Sequence, residues 1–413
     1  MIQFDKKERP LHLYFEHLLG GDIRTMQALG LYSMGSILKH DKPKWYFWEV
    51  IPVIMVIPGL CFGLACNMRN IFDIIKTDYM VTIDFAAATF SAALCTFKGF
   101  RLCAYRREFY QLIKTFQIYW NVQVSRNRIT RDIVEIARLT RLFRIYYSTV
   151  VIIAFSGYVI QPIGQYFLSP SPKLNGTVEF TKTVYPARYP FILDSAPAFF
   201  LCVLLETVGM YFMMLHWLAT DGVFAQITTH MSLHFQVISN RIRDICPSTT
   251  MSPLRTAIIS KRLKTIIEDY LELFKHVRVL EELYDPIMFA TVLINGLVLC
   301  TCLFSIEYSR GKNNWKDVEK NMVHAFGLAL QTLMFCTCAE RLNNEIAGIR
   351  QAIYDCPWTS FSSPIKYSIL LIMTLNSREY VYSTYGFIQL NMPQVTLIFT
   401  AAVRYFTVLR NFG

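Results

Sequence analysis

Seven stretches of this 413-residue chain are apolar over about 18 to 25 residues, the length a helix needs to cross a hydrocarbon core. They lie near Trp45–Met68, Tyr79–Phe100, Phe143–Leu168, Phe191–Leu218, Pro286–Tyr308, Asn321–Cys338 and Tyr385–Leu409. In lipid a backbone must satisfy its own amides, so such stretches fold as helices. The chain is 53% hydrophobic and only 17% charged, which is too apolar for a soluble enzyme of this length. The expected class is therefore an all-α, multi-pass membrane protein.

The net charge of +11 would fit a nucleic-acid binder, but its placement argues against one. Lys6, Lys7, Arg9, Arg24, Lys39, Lys42 and Lys44 precede the first span, and Arg101 to Arg144 crowd the link between spans two and three. The link between spans four and five is basic again, whereas the alternate loops hold little beyond Arg69, Lys76, Lys173, Lys182 and Arg188. The positive-inside rule puts the N-terminus in the cytosol and, after seven crossings, the C-terminus outside at the membrane surface. The sequon Asn175-Gly176-Thr177 falls in the third loop, on the outer side, so the two signals agree and Asn175 is the expected glycosylation site. No cleavable signal peptide is expected, because the first forty-odd residues are charged and mixed.

Helical periodicity continues beyond the membrane. Ile259, Leu263, Ile266, Tyr270, Leu273, Val277, Leu280 and Tyr284 recur at steps of four and three with charged residues between them, which predicts an amphipathic cytosolic helix. It is expected to run into span five with Pro286 absorbed as a kink. Span four is expected to extend past Trp217 to Arg243, and Ser363–Met373 to form a short cytosolic helix before the last span. Several such seams on one side favour contact between subunits, with ordinary packing within one subunit the alternative. The outer third loop, with Pro170, Pro172, Pro186 and Pro190, reads as a stiff cap. The organisation is then a cytosolic segment 1–44, spans one to four at 45–253, cytosolic helices with spans five and six at 254–383, and a terminal helix at 384–413.

No catalytic motif stands out, and no metal or cofactor site is expected. Cys300 with Cys302 and Cys336 with Cys338 have i, i+2 spacing, which points the thiols to different sides of a helix, so buried apolar cysteines are the plainer reading. His324 lies in span six without a carboxylate or nucleophile nearby in sequence, and a satisfied core histidine is the plainer reading there. Glu206 and Arg404 sit inside spans, each at a cost of about 2.5 to 3.5 kcal/mol if left in lipid. Each is expected to face protein or water, with mutual pairing one option and a protonated Glu206 another. Aromatic and sulfur side chains at the outer ends of spans two, three and four are candidates for an apolar ligand pocket, with core packing the default for any one of them.

The last span carries Thr396, Thr400, Arg404, Thr407 and Asn411 on one face and Val395, Ile398, Ala402, Tyr405 and Leu409 on the other. Two readings of the polar stripe stand side by side: hydroxyls bonded back to their own helix at a packed interface, or the lining of a wet path.

The segment AIYDCPW at Ala352–Trp358, the stretch Pro364–Arg378 and the terminal RYFTVLRNF resemble the insect odorant receptor family. That resemblance implies seven transmembrane helices whose cytosolic extensions form an anchor layer in a tetrameric, ligand-gated, non-selective cation channel. It implies a plasma-membrane protein of olfactory neurons with a small volatile odorant, membrane lipid and the odorant receptor coreceptor as partners. The short link near Thr220–Asp285 fits a tuning subunit rather than the coreceptor, whose loop there is extended. Carried over by position, Val81, Phe85, Ala154, Gly157, Tyr158, Phe200, Val203 and Met210 are the ligand-pocket residues. Thr400, Arg404, Thr407, Val408, Leu409 and Asn411 line the pore. Arg404 departs from the family, which usually has a small residue there. The alternatives are a G-protein-coupled receptor, opposed by the charge pattern and the cysteine-free outer loop, a gustatory-type receptor, whose TYxxxxxQF ending is not found, and a small-solute transporter, for which no internal repeat is visible.

Overall fold

The computed structural model describes residues 15–39, 79–168, 196–245, 253–356 and 358–412, with single positions 49, 61, 63, 65, 66, 68, 69 and 184. The expected first span and the glycosylation site Asn175 lie outside the described residues. In chain order the elements are α1 (Phe15–Ala28), α2 (Gly35–Lys39), α3 (Tyr79–Ala104), α4 (Arg106–Ser125), α5 (Arg131–Leu168), α6 (Ala196–Arg243), α7 (Pro253–Gly311), α8 (Trp315–Tyr354) and α9 (Ser363–Leu375). A two-stranded antiparallel hairpin, β1 (Ser383–Thr384) and β2 (Ile388–Gln389), then leads into α10 (Met392–Phe412). Among the described residues, stretches of α5, α6, α7 and α8 combine the length and apolarity to cross a membrane. Helices α3 and α10, at 26 and 21 residues, have the length.

The long helical extensions are present as the periodicity implies. Helix α7 runs 59 residues through Pro286 without a break, about 88 Å at 1.5 Å per residue. Helix α6 ends at Arg243 after 48 residues. The seam from Ile259 to Tyr284 is buried at all eight positions. Its cover, however, comes from the same chain. Phe235 of α6 stacks edge-on against Tyr270, whose hydroxyl donates to Asn376 Oδ1 at the end of α9 (3.1 Å). Tyr380 donates to Glu281 (2.7 Å), and burial together with that carboxylate pushes its phenol well above the ordinary value. The expectation that this seam joins subunits is thus corrected, because helices folded back from both sides of α7 already exclude water from it.

The inner half of α6 is the axis of the bundle. From Ala219 to Phe235 every residue is buried, which is the signature of a helix enclosed all round. Helices α1, α3, α5, α7 and α8 surround it. Helix α1, which the mixed charge of the N-terminal segment disguises, inserts Phe15, Leu18, Leu19, Ile23 and Met26 into that core. Its Asp22 accepts from Arg144 Nη1 on α5 at 2.6 Å. A β-carbon at Gly222 would lie 2.2 Å from Asp22 Oδ1, so the glycine is what lets α1 approach α6 this closely.

An ion pair is sealed into the same region. Lys98 of α3 donates to Asp221 Oδ1 at 2.6 Å, and neither side chain is exposed. Asp221 Oδ2 also accepts from Tyr147 of α5 (2.7 Å) and Gln331 of α8 (2.5 Å). Asn295 of α7 in turn donates to Gln331 Oε1 (2.9 Å) and Thr332 Oγ1 (3.2 Å). The Trp217 indole N–H donates to the Tyr147 hydroxyl, and the Lys98 ammonium stands 4.6 Å from the Trp217 ring centroid. Four helices therefore meet on one carboxylate, and α7 joins them through Gln331.

The last span begins later than its hydropathy implies. Tyr385 and Gly386 both have positive φ, and Phe387 N–H bonds Thr384 O at 3.0 Å, a tight turn within the three-residue loop left by the pairing of Thr384 with Ile388. Residues 384–391 are thus hairpin and link, and the helix starts at Met392.

Removing one member of the buried pair, by Lys98→Met or Asp221→Leu, is expected to destabilise the protein by about 3–5 kcal/mol, because the other charge is left uncompensated. The double variant is expected to recover most of the loss. Thermal unfolding of purified protein and surface expression measure both, and a double variant as unstable as either single one contradicts the account.

Candidate functional site: an apolar cavity beside a buried ion pair

Helices α3, α5, α6 and α8 enclose a cavity of about 70 Å³ between them. That is room for on the order of five water-sized spheres, the scale of a small volatile molecule. Small residues on α3 open the space: Ala88, Ser91, Ala92 and Cys95 recur at helical spacing on its inner face. Phe155 and Tyr158 of α5, Met210 and Met213 of α6, and Leu328 of α8 supply apolar walls, and Trp217 closes the inner end. Trp217 thus faces the cavity with its ring and the buried ion-pair network with its N–H.

The cavity has a localised polar wall. His324 is bonded on both ring nitrogens, to Ser91 Oγ through Nε2 (3.1 Å) and to the Tyr158 hydroxyl through Nδ1 (3.2 Å). It is a satisfied histidine, as the plainer reading has it, yet it satisfies itself at the cavity surface. Glu206 is buried and accepts the Val184 backbone N–H at 2.7 Å. Val184 itself lines the cavity, so this carboxylate fastens a residue of the link between α5 and α6 as part of the wall. The option of a Glu206–Arg404 pair is corrected: Arg404 is exposed on α10 and enters no ion pair among the described residues.

Of the residues that sequence reasoning assigned to a pocket, Ala154, Tyr158 and Met210 line this cavity. Val203 is buried but does not line it, Phe200 is 39% exposed on the outer face, and Gly157 is exposed as well. Val81 and Phe85 fall on the first turns of α3, and their side chains lie outside the described residues. The lining of α3 starts at Ala88, deeper than the aromatic outer ends suggested. Most of the missed residues, among them Ser91, Cys95, Trp217, His324, Gly327 and Leu328, belong to the small-residue stripe of α3, to α6 and to α8.

The cysteine pairs are buried free thiols, and no cluster of metal-binding groups occurs among the described residues. Cys356 is disulfide-bonded.

Helix α10 rests on α7 and α8. Ile398 and Ala402 are buried against them, whereas Thr396, Thr400, Arg404 and Thr407 are exposed on the opposite side of the helix. Val408 is also exposed, and the side chains of Leu409 and Asn411 lie outside the described residues. Thr407 bonds back to Val403 O (2.7 Å) and Arg404 O (2.9 Å), so hydroxyl back-bonding and an outward polar face coexist.

Comparison with known proteins matches residues 82–403 to the model of the 7tm odorant receptor family. The chain belongs to that family. Odorant receptor 13a of Drosophila melanogaster is 22% identical over 380 residues, spanning 88% of this chain and 86% of its own length. Odorant receptor 47a of the same species is 23% identical over 405 residues, covering 94% and 97%. The solved structure of the insect olfactory receptor OR5 from Machilis hrabei in complex with eugenol superposes with a TM-score of 0.76 over 96% of this chain and 99% of that one. At 11% identity that likeness establishes the fold. The resemblance read from the terminal motifs is confirmed, and the receptor is a multi-pass helical membrane protein rather than an enzyme.

The Glu206 contact is testable through Val184. In a Val184→Cys background a charged, membrane-impermeant thiol reagent is expected to label slowly, and Glu206→Leu to speed labelling about tenfold or more, the scale of a lost buried bond to a charged group. Glu206→Gln retains an acceptor and is expected to leave the rate close to the parent's.

Proposed function

We propose that this receptor is an odorant-binding, tuning subunit of a heteromeric, ligand-gated, non-selective cation channel, opened by a small volatile held in the cavity. Family membership gives the class, and the cavity supplies a ligand site of suitable size and polarity. The observation that carries the channel reading is the polar face of α10, turned away from its own bundle. A path for ions requires such a face, and a helix finished by packing within one chain does not. The partner is the odorant receptor coreceptor, and the assembly is a tetramer around a shared pore lined by Thr400, Arg404, Thr407, Val408, Leu409 and Asn411. The link from Arg243 to Pro253 is short, which favours the tuning role. The protein resides in the plasma membrane of olfactory neurons, N-terminus in the cytosol and C-terminus outside, with Asn175 glycosylated.

Coupling between cavity and pore falls to α8. His324 and Leu328 line the cavity, Gln331 joins the Asp221 network, and Glu340 accepts the Met392 N–H at the start of α10 (3.0 Å). A carboxylate at a helix N-terminus is favourable, and a shift of α8 along its axis changes that contact directly.

Cation currents recorded with and without the coreceptor, against a panel of volatiles, test this reading. Currents are expected only with both subunits, and silence across a broad panel with both at the surface would overturn it. Arg404→Ser is expected to raise cation conductance, since a fixed positive charge beside the path repels permeant ions. Unchanged conductance and selectivity would remove Arg404 from the pore face.

A further inference from the structure

The geometry points to the Ser91–His324–Tyr158 triad as a hydrogen-bonding anchor that selects ligands carrying one oxygen function, an alcohol or a ketone, over hydrocarbons of the same shape. The inference rests on the cavity being the odorant site. Its starting point is the contrast between this wall and the rest of the lining. Apart from these three residues, the cavity presents aliphatic and aromatic groups and the Cys95 thiol, while the Trp217 N–H is turned toward Tyr147.

The bonding order of the triad explains why it serves as an anchor. A neutral imidazole has one N–H donor and one nitrogen acceptor, and each hydroxyl both donates and accepts. With Ser91 Oγ on Nε2 and Tyr158 OH on Nδ1, the hydrogens must run in one direction along the chain. In one tautomer Ser91 donates to Nε2 and Nδ1–H donates to Tyr158; in the other Tyr158 donates to Nδ1 and Nε2–H donates to Ser91. The bonds within the triad consume one of the two hydroxyl hydrogens in either case. Ser91 therefore meets a ligand as an acceptor in the first tautomer and as a donor in the second. A ligand hydroxyl and a ligand carbonyl are both accommodated, at the cost of a tautomer change and without moving a side chain.

The triad also spans three of the four cavity helices: Ser91 is on α3, Tyr158 on α5 and His324 on α8. A ligand oxygen inserted at Ser91 thus acts on the bond that ties α3 to α8, the helix that continues to Gln331 and Glu340. A hydrocarbon of equal size fills the same volume and leaves that bond alone.

Matched skeletons separate this role from a merely structural one. Binding of ethylbenzene, 1-phenylethanol and acetophenone, with equivalent triples on linear skeletons, is measured by competition on purified, assembled receptor. The oxygenated members are expected to bind about tenfold tighter than their hydrocarbon, the scale of one net hydrogen bond. In His324→Phe and in Ser91→Ala the ratio of oxygenated to hydrocarbon affinity is expected to fall to about one, the oxygenated members losing more than their hydrocarbon. His324→Gln, which keeps a donor and an acceptor, is expected to retain the preference. Equal binding of hydrocarbon and oxygenated members in the parent, or a uniform loss for all members in the variants, overturns the anchor. Ala154→Phe fills the cavity and is expected to abolish every member. If it abolishes none, or if no oxygenated member binds the parent, the odorant-site reading falls together with the anchor; if it abolishes all while His324→Phe leaves the ranking intact, the anchor alone falls.

Discussion

The bond between Lys98 and Asp221 is the constraint around which the bundle is arranged. Bringing a carboxylate and an ammonium out of water costs several kcal/mol for each ion, and mutual attraction offsets that only with good geometry and full hydrogen bonding. The fold supplies both. Asp221 accepts from Lys98, Tyr147 and Gln331, and the Lys98 ammonium lies against the faces of Trp217 and Phe335. These groups come from α3, from α5, from two successive turns of α8 and from the turn of α6 that precedes the carboxylate. A register shift of one residue in α3, α5, α6 or α8 would strand a charge or a buried dipole. An apolar core tolerates such shifts more readily, because dispersion is not directional. The pair thus fixes the mutual register of the helices that form the cavity, whatever its net contribution to stability.

That arrangement places the cavity and the terminal helix α10 on one mechanical element. Helix α10 rests on α7 and α8, and the cavity is built from α3, α5, α6 and α8. Only α8 belongs to both sets. Along it, His324, Gln331 and Glu340 are separated by seven and nine residues, about 10 and 14 Å of rise. A ligand shifts an equilibrium only by its differential affinity for the two states. The contacts able to differ are those that a ligand makes with the His324 wall and the Trp217 floor, both bonded onward to groups that hold α8 in place.

What was legible in the sequence follows from what is periodic. The seam from Ile259 to Tyr284, the extension of α6 to Arg243 and the passage of α7 through Pro286 were readable because helical burial repeats at three and four residues. The family was readable because its motifs keep order and position near the C-terminus. The partner of a seam was not readable: periodicity says that a face is buried, never by which chain, and here α4, α6 and α9 of the same chain bury it. Aromatic richness at the outer helix ends drew attention away from the cavity, which exists where side chains are small, at Ala88, Ser91 and Ala92. A void is made by absent volume, and sequence composition highlights present volume. Lys98 and Asp221 left a sequence trace as opposite charges inside two apolar helices, although only the fold brings together residues 123 positions apart.

The polar face of α10 makes assembly part of the functional reading rather than an addition to it. In a lone chain within a bilayer, Arg404 would meet hydrocarbon at a cost of about 2.5 to 3.5 kcal/mol, with Thr396 and Thr400 beside it on the same exposed side. Thr407 lowers its own cost by bonding to Val403 and Arg404 carbonyls, but a guanidinium has no acceptor on its own helix that spares it from lipid. The packing face of α10 is already taken by α7 and α8, so rotation of the helix to bury the stripe would expose Ile398 and Ala402 without gaining a polar partner. Two arrangements remove the penalty: a second subunit that covers the stripe, or water that wets it. A pore shared between subunits supplies both at once, with neighbouring chains flanking the helix and water on its axis side. The same stripe that destabilises an isolated chain in lipid would therefore be favourable in the channel assembly proposed for it.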